Sequence, residues 1–329
     1  MIITQTPLRI SLAGGGTDLR DFYDVEDGRT LSFAIDKYVF VIVSERFDDR
    51  IYVNYTKKEI VDSVDDIHHD LVREAMRTTG VSSGVEVTML ADIPSEGSGL
   101  GSSSSLTVGL LNALYLFRGA QVPADRLARE ACEIEIERCG KPIGKQDQYI
   151  AAFGAIREFV YRRDGTVEAL RVDLPPGEIR RLGSELMLFF TDSTRKSSDI
   201  LSEQKLRTRA NVEHLRQIRN CVPQVRSALE SRRFDLIGDI LHHSWLLKKK
   251  LADNISNPAI DHMYELALSA GATGGKIAGA GGGGFLLLHV PRQRQDAVRN
   301  ALSGFREFPW LIEQDGSKAI FNLRRYSAR

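Results

Sequence analysis

Short apolar runs alternate with helical patterns along the chain, and glycine clusters separate several of them. Residues 2–12 predict a strand, which the triple glycine Gly14-Gly15-Gly16 ends. Residues 37–44 (KYVFVIVS) are rich in β-branched and aromatic side chains and predict a buried strand. Ile67, Leu71 and Ala75 repeat every fourth position, so residues 66–79 predict a helix, with Gly80 as its stop. A strand over 85–90 leads through PSEGSGLGSSSS into a mostly apolar, hence buried, helix over 106–117. A second helix spans 124–139 and ends at Gly140. Strands at 159–161 and 167–172 flank Asp164-Gly165 and predict a hairpin.

Beyond Pro175-Pro176-Gly177 the pattern changes. A strand over 186–191 is followed by helices over 198–228, 234–251 and 258–269, with Pro223 expected to kink or split the first. Glycine dominates 271–284, directly before a strand over 285–290, a helix over 293–302 and a closing strand over 319–323. This mixed order predicts an α+β chain in two lobes, divided as 1–182 and 183–329.

Composition narrows the partners. The 329 residues are 42% apolar and 27% charged, enough to bury a sizeable core. Lys plus Arg and Asp plus Glu are 44 each, so no charge footprint marks nucleic acid or an anionic membrane as a partner. Cys132, Cys139 and Cys221 form no Cys-x-x-Cys pair, which argues against a disulfide framework or a thiolate zinc site. With neither a signal-like start nor 18 consecutive apolar residues, a cytoplasmic protein is expected, and a homo-oligomer is left open.

Three glycine-rich segments carry the chemistry. The central one, Gly97-Ser98-Gly99-Leu100-Gly101-Ser102-Ser103-Ser104-Ser105, follows a strand and opens a helix. Free N–H groups and the helix dipole favour phosphate there, and serine hydroxyls can bond its oxygens or a magnesium ion. It fits neither GxxxxGK[ST] nor GxGxxG, because Ser102 stands where either motif needs another residue. The first segment, Arg9 to Asp18, offers a cation, a flexible turn and a polar Thr17-Asp18 pair. The third, Gly274 to Phe285, holds seven glycines before an apolar strand, so close packing against another loop or a ligand is expected.

Together, in order and spacing, the three segments resemble the signature motifs of the GHMP kinases, and the resemblance spans essentially the whole chain. It implies a ribosomal-S5-like N-terminal lobe, a ferredoxin-like C-terminal lobe, and ATP and a small-molecule substrate in the cleft between them. The phosphate loop would be Gly97, Gly99, Leu100, Gly101, Ser102, Ser103 and Ser104, with Ser103 and a helical glutamate as Mg2+ ligands. Of Glu130, Glu133, Glu135 and Glu137, Glu135 falls beside the apolar stripe of its helix, near Ala128 and Ala131. The Gly-x-x-Asp-Gln segment Gly144 to Gln148 implies Asp147 as the catalytic base, with Arg9 as its partner. Asp18 would hold sugar hydroxyls beside Gly15, Gly16 and Thr17, and Gly281 and Gly282 would also face the substrate.

Gly15 and Gly16 stand where galactokinases carry a glutamate and a histidine, which argues against galactose itself. The AGGGTD turn, the GKQDQ segment and TDSTRKSS (191–198) resemble the heptose kinases within the family. That implies transfer to the anomeric hydroxyl of a heptose 7-phosphate, giving the 1,7-bisphosphate for nucleotide-activated heptose and surface polysaccharide. A sugar that already bears phosphate needs a cationic pocket, for which Arg195 and Lys196 are candidates. A kinase for fucose, arabinose or a galactose-like sugar is the alternative. Some galactokinase relatives act as sensors, and the intact Asp147, Arg9 and serine loop argue instead for a catalyst.

Overall fold

Side-chain alternation along the first strand sets up the cleft. β1 (Ile2–Ala13) turns Leu8, Ile10 and Leu12 into the core and Arg9 and Ser11 to the opposite face. A computed structural model of the chain describes residues 1–93, 97–192 and 197–323, the side chains of 197–199 excepted. The remaining strands are β2 (Gly28–Glu45), β3 (Ile51–Asn54), β4 (Lys58–Val61), β5 (Val85–Ala91), β6 (Ile156–Tyr161), β7 (Val167–Arg171), β8 (Leu186–Phe190), β9 (Gly274–Ile277), β10 (Phe285–His289), β11 (Ile312–Glu313) and β12 (Lys318–Asn322).

β1 runs antiparallel to β2 from Ile2↔Val43 to Ala13↔Leu31, with bulges at Pro7/Leu8 and Ser11/Ala13. The other edge of the long β2 is shared in succession by β6, β11 and β5. β7 closes a hairpin on β6, and β3 and β4 extend the sheet beyond β5. β12 pairs with the free edge of β1, Ile2 opposite Asn322. β12 therefore runs in the sheet of the first lobe, although the sequence division groups it with the second. The second lobe is built on the antiparallel sheet β8-β10-β9. The architecture is α+β, as the pattern predicts.

Three apolar clusters hold these parts. One lies between the large sheet and the helices Asp70–Thr79, Ser102–Arg118, Ala124–Cys132 and Gln146–Phe153. A third fills the second lobe around Trp245, Ile277 and Leu286. The middle cluster belongs to both lobes: Leu8, Ile10 and Leu12 meet Val222, Val225 and Leu229 of helix Val212–Glu230, and Leu188 and Leu287 of the small sheet. The cleft is thus backed by continuous core.

Several helix boundaries differ from expectation, and side-chain hydrogen bonds accompany two of the changes. The helix predicted from residue 66 begins at Asp70, because the Glu59 carboxylate takes the backbone N–H groups of His68 and His69 at 2.6 and 3.1 Å. A 3-10 turn, Val64–Asp66, precedes it. The long helix predicted over 198–228 breaks at 208–211, leaving Ser197–Arg207 and Val212–Glu230, and Pro223 lies inside the second piece. The Thr208 hydroxyl bonds to the Gln204 carbonyl, and the Asn211 amide reaches the Leu251 carbonyl at 3.0 Å, so side chains supply the break.

The lobes touch backbone to backbone. A Cβ placed on Gly279 would lie 2.6 Å from the Cα of Gly99, and Gly279 sits at φ +68°. Gly279→Ala is expected to lower the unfolding free energy by about 1–3 kcal/mol. Urea denaturation of the variant beside the parent checks this.

Candidate active site

The loop between β5 and helix Ser102–Arg118 is shaped by glycine conformation. Gly97, Gly99 and Gly101 have φ of +74°, +71° and +81°, while Ser98 and Leu100 between them are not left-handed. Alternation between left-handed and ordinary backbone is the kind of conformation that can turn successive N–H groups toward an anion. Gly101 is the N-cap of the helix, and no side chain among the described residues caps it, so the first-turn N–H groups keep their capacity for a ligand. Buried Leu100 anchors the loop, its carbonyl taking the Arg9 N–H at 3.0 Å. The third glycine segment packs behind it: a Cβ on Gly99 would lie 2.5 Å from the Ala278 carbonyl oxygen, and one on Gly284 2.6 Å from that of Ser98.

Arg9 joins this loop to a carboxylate. The side chain is 4% exposed and forks onto Asp147, Nε to Oδ1 and Nη2 to Oδ2, both at 2.7 Å. Its Nη1 donates to the Gly99 carbonyl at 2.5 Å. Asp147, in the first turn of helix Gln146–Phe153, keeps a quarter of its side chain exposed. Asp18 approaches from the first glycine turn. Its carboxylate accepts the N–H groups of Gly16 at 2.9 Å and Gln146 at 3.2 Å. Burial first, and the charge of Asp147 second, raise its pKa, against the pull of those N–H bonds. Gly144 leaves the space that Asp18 needs: a Cβ there would lie 2.0 Å from Asp18 Oδ2.

A second cluster surrounds Glu135, fully buried in a π-helical turn, Glu133–Arg138, that interrupts the predicted helix after Cys132. Ser103 and Ser104 donate their hydroxyls to its two oxygens at 2.7 and 2.6 Å, and Gln148 Nε2 donates at 2.5 Å. The Lys141 ammonium lies 2.9 Å from Ser103 Oγ and 3.4 Å from Glu135 Oε1. Hydroxyl and carboxylate oxygens are the hard donors that Mg2+ takes. A cation already rests against them, and the buried Gln148 Oε1 has no hydrogen-bond partner among the described residues. The residues present fit a magnesium ion. No group of three or more His, Cys, Asp and Glu placed to hold a metal occurs among the described residues.

Arg9, Gly15, Gly16, Asp18 and Asp147 line one cleft, together with Ser11, Gln146, Gln204, Lys248, Lys276 and Gly279. Other expected residues stand elsewhere. Thr17 is fully buried and bonds the backbone of Gly14 and Arg29, stapling the turn to β2. Gly281 and Gly282 pack on Ile255, whose carbonyl takes the Gly282 N–H at 2.8 Å. Arg195 and Lys196 lie outside the described residues. Lys248 and Lys276 were not anticipated. Lys276 sits inside the third glycine segment. Lys248 falls in phase with the buried stripe Ile237, Leu241, Ser244 and Trp245 of helix Ile237–Lys248, a period that would have marked it as inward-facing.

A two-lobed α+β chain with a glycine-serine loop at a helix N-terminus beside an Arg–Asp pair is an arrangement that a small-molecule kinase can use. Residues 66–155 match the family model for the GHMP kinases N terminal domain, and residues 225–306 that for GHMP kinases C terminal. The chain is 33% identical to the D-glycero-alpha-D-manno-heptose 7-phosphate kinase of Campylobacter jejuni, over 91% of this chain and 92% of the other. It is 24% identical to the galactokinase of Pyrococcus furiosus, over 92% of each. The crystal structure of a D-glycero-D-manno-heptose 1-phosphate kinase from Bacteroides thetaiotaomicron superposes with a TM-score of 0.81 at 25% identity, covering 99% of this chain and 100% of that one. The chain belongs to the GHMP kinase family. It is an ATP-dependent phosphotransferase, a sugar kinase. No helix among the described residues is long and apolar enough to cross a membrane.

Gly144→Ala is expected to push the Asp18 carboxylate off its two N–H donors while leaving the fold intact. Sugar-kinase turnover, followed by ADP release, should fall about a hundredfold, as expected for a misplacement of an ångström or so at a reacting site.

Proposed function

We propose that this kinase phosphorylates the anomeric hydroxyl of D-glycero-D-manno-heptose 7-phosphate to give the 1,7-bisphosphate. The observation that carries the mechanism is the Arg9 bridge, which holds the Asp147 carboxylate and the Gly99 carbonyl on one guanidinium. Acceptor base and phosphate loop are thereby fixed in one frame. Phosphoryl transfer depends mostly on such positioning and on charge stabilisation.

In the reaction, Asp147 accepts the proton of the anomeric hydroxyl. The sugar oxygen bonds to the γ-phosphorus of ATP as the bond to the β-phosphate oxygen breaks, and ADP leaves. The N–H groups of Gly97 to Ser104 receive the phosphate oxygens. Asp18 accepts hydrogen bonds from sugar hydroxyls above the open Gly15-Gly16 turn. Ser103 and Glu135 would hold the magnesium ion that neutralises phosphate charge.

The two heptose kinase relatives differ by name in where the acceptor already carries phosphate, so both acceptors belong in the test. ADP release is measured with heptose 7-phosphate, heptose 1-phosphate, fucose, arabinose and galactose. The expected order puts heptose 7-phosphate first by at least about tenfold in kcat/KM. Preference for any other acceptor overturns the sugar assignment. Asp147→Asn should retain ATP binding by calorimetry and lose at least about a hundredfold in turnover. Retained turnover would remove Asp147 from the proton transfer.

A further inference from the structure

Two lysines of the second lobe are buried in the wall of the cleft. Lys248 ends helix Ile237–Lys248 and is 8% exposed; Lys276, on β9, is 4% exposed. Among the described residues neither forms an ion pair. Lys248 donates to the Gly279 carbonyl, and Lys276 reaches the Leu12 carbonyl at 3.5 Å. The titratable groups facing Lys248 are Lys276, Arg9, Asp18 and Asp147; those facing Lys276 are Lys248, Arg9 and the thiol of Cys221, which burial keeps neutral. Arg9 already neutralises Asp147, and the Asp18 carboxyl is shifted toward its neutral form. Protonating both lysines would therefore put more buried positive charge in the cleft than its carboxylates balance.

A buried ammonium is costly unless an anion faces it. A structural lysine could be replaced by an apolar side chain of similar length, and a carbonyl is a weak partner for a full charge. Burial pushes Lys276 down to about 8 and Lys248 well below the ordinary lysine value, which is the signature of cations left without counter-charge. The nucleotide phosphates already have receptors on the first lobe, in the loop Gly97 to Ser104. The lysines come from the second lobe and share the cleft with Asp18 and the Gly15-Gly16 turn.

We propose that Lys248 and Lys276 form the receptor for the phosphate that the acceptor sugar already carries. This rests on the sugar-phosphate reading above and assigns its specificity to two residues. The phosphomonoester dianion supplies the missing charge and draws protons onto the lysines as it binds. The unphosphorylated sugar brings no charge to either lysine and forgoes that stabilisation. Affinity for the phosphorylated sugar should weaken as pH rises through about 8, where Lys276 loses its proton in the empty cleft.

The test is steady-state kinetics of the parent, Lys248→Met and Lys276→Met with heptose 7-phosphate, with unphosphorylated heptose and with ATP varied. Each substitution is expected to raise KM for heptose 7-phosphate about ten- to a hundredfold and keep KM for ATP within about threefold. The preference for phosphorylated over unphosphorylated heptose should collapse by the same factor. A larger rise in KM for ATP would assign the lysines to the nucleotide and overturn the proposal, as would equal losses with both sugars. Calorimetry in two buffers of different ionisation enthalpy at pH 8 gives a second readout: the parent should take up protons on binding the sugar phosphate, and each variant fewer. If the parent does not use heptose 7-phosphate, the sugar assignment fails separately. Thermal protection by inorganic phosphate, with the nucleotide site filled by a non-hydrolysable ATP analogue, then decides the receptor. Protection lost in both correctly folded variants supports it, and protection kept overturns it.

Discussion

A single buried guanidinium ties the working parts together. Arg9 is held by β1, its fork grips Asp147 at the start of a helix, and its remaining nitrogen holds the loop at Gly99. Each contact constrains the others, because a planar fork has little freedom once two of its edges are engaged. Removing one partner of such a buried pair commonly costs about 3–5 kcal/mol, since the other charge is left stranded. The pair thus joins stability to the geometry of transfer. The close backbone contacts around Gly99 leave no room for a side chain at that position.

The second lobe completes this frame. Because one apolar cluster runs from β1 into helix Val212–Glu230 and the small sheet, β9 and the end of helix Ile237–Lys248 meet the first lobe at fixed positions. The buried Glu158 carboxylate, gripped by Arg29 of β2 and Arg226 of helix Val212–Glu230, adds a polar tie across the same boundary. Side chains from distant parts of the chain, Arg9, Asp18, Asp147, Lys248 and Lys276, therefore converge on one cleft.

Much of this was legible in the sequence wherever local pattern decides the outcome. The strand β1, the β6–β7 hairpin and helix Pro258–Ser269 follow period and turn chemistry. The third glycine segment announced close packing, and Glu135 stood out from its neighbours by helical phase. Tertiary partners decided the rest. The Glu59 carboxylate moves a helix start, and Thr208 and Asn211 break a helix that proline was expected to break. The π-helical turn around Glu135 has no periodic signal of its own. Lys248 opens a run of three lysines, and such a run reads as a solvated face until its phase against Trp245 is followed.

The most direct measurement is a crystal structure of the protein with heptose 7-phosphate, magnesium and a non-hydrolysable ATP analogue. The account predicts the nucleotide phosphates over Gly97 to Ser104. The anomeric oxygen should lie within hydrogen-bond reach of Asp147 and about 3–3.5 Å from the γ-phosphorus, with Arg9 still bonded to both Asp147 and Gly99. A sugar bound with its anomeric oxygen away from Asp147, or an Arg9 that has released the carboxylate, would contradict it.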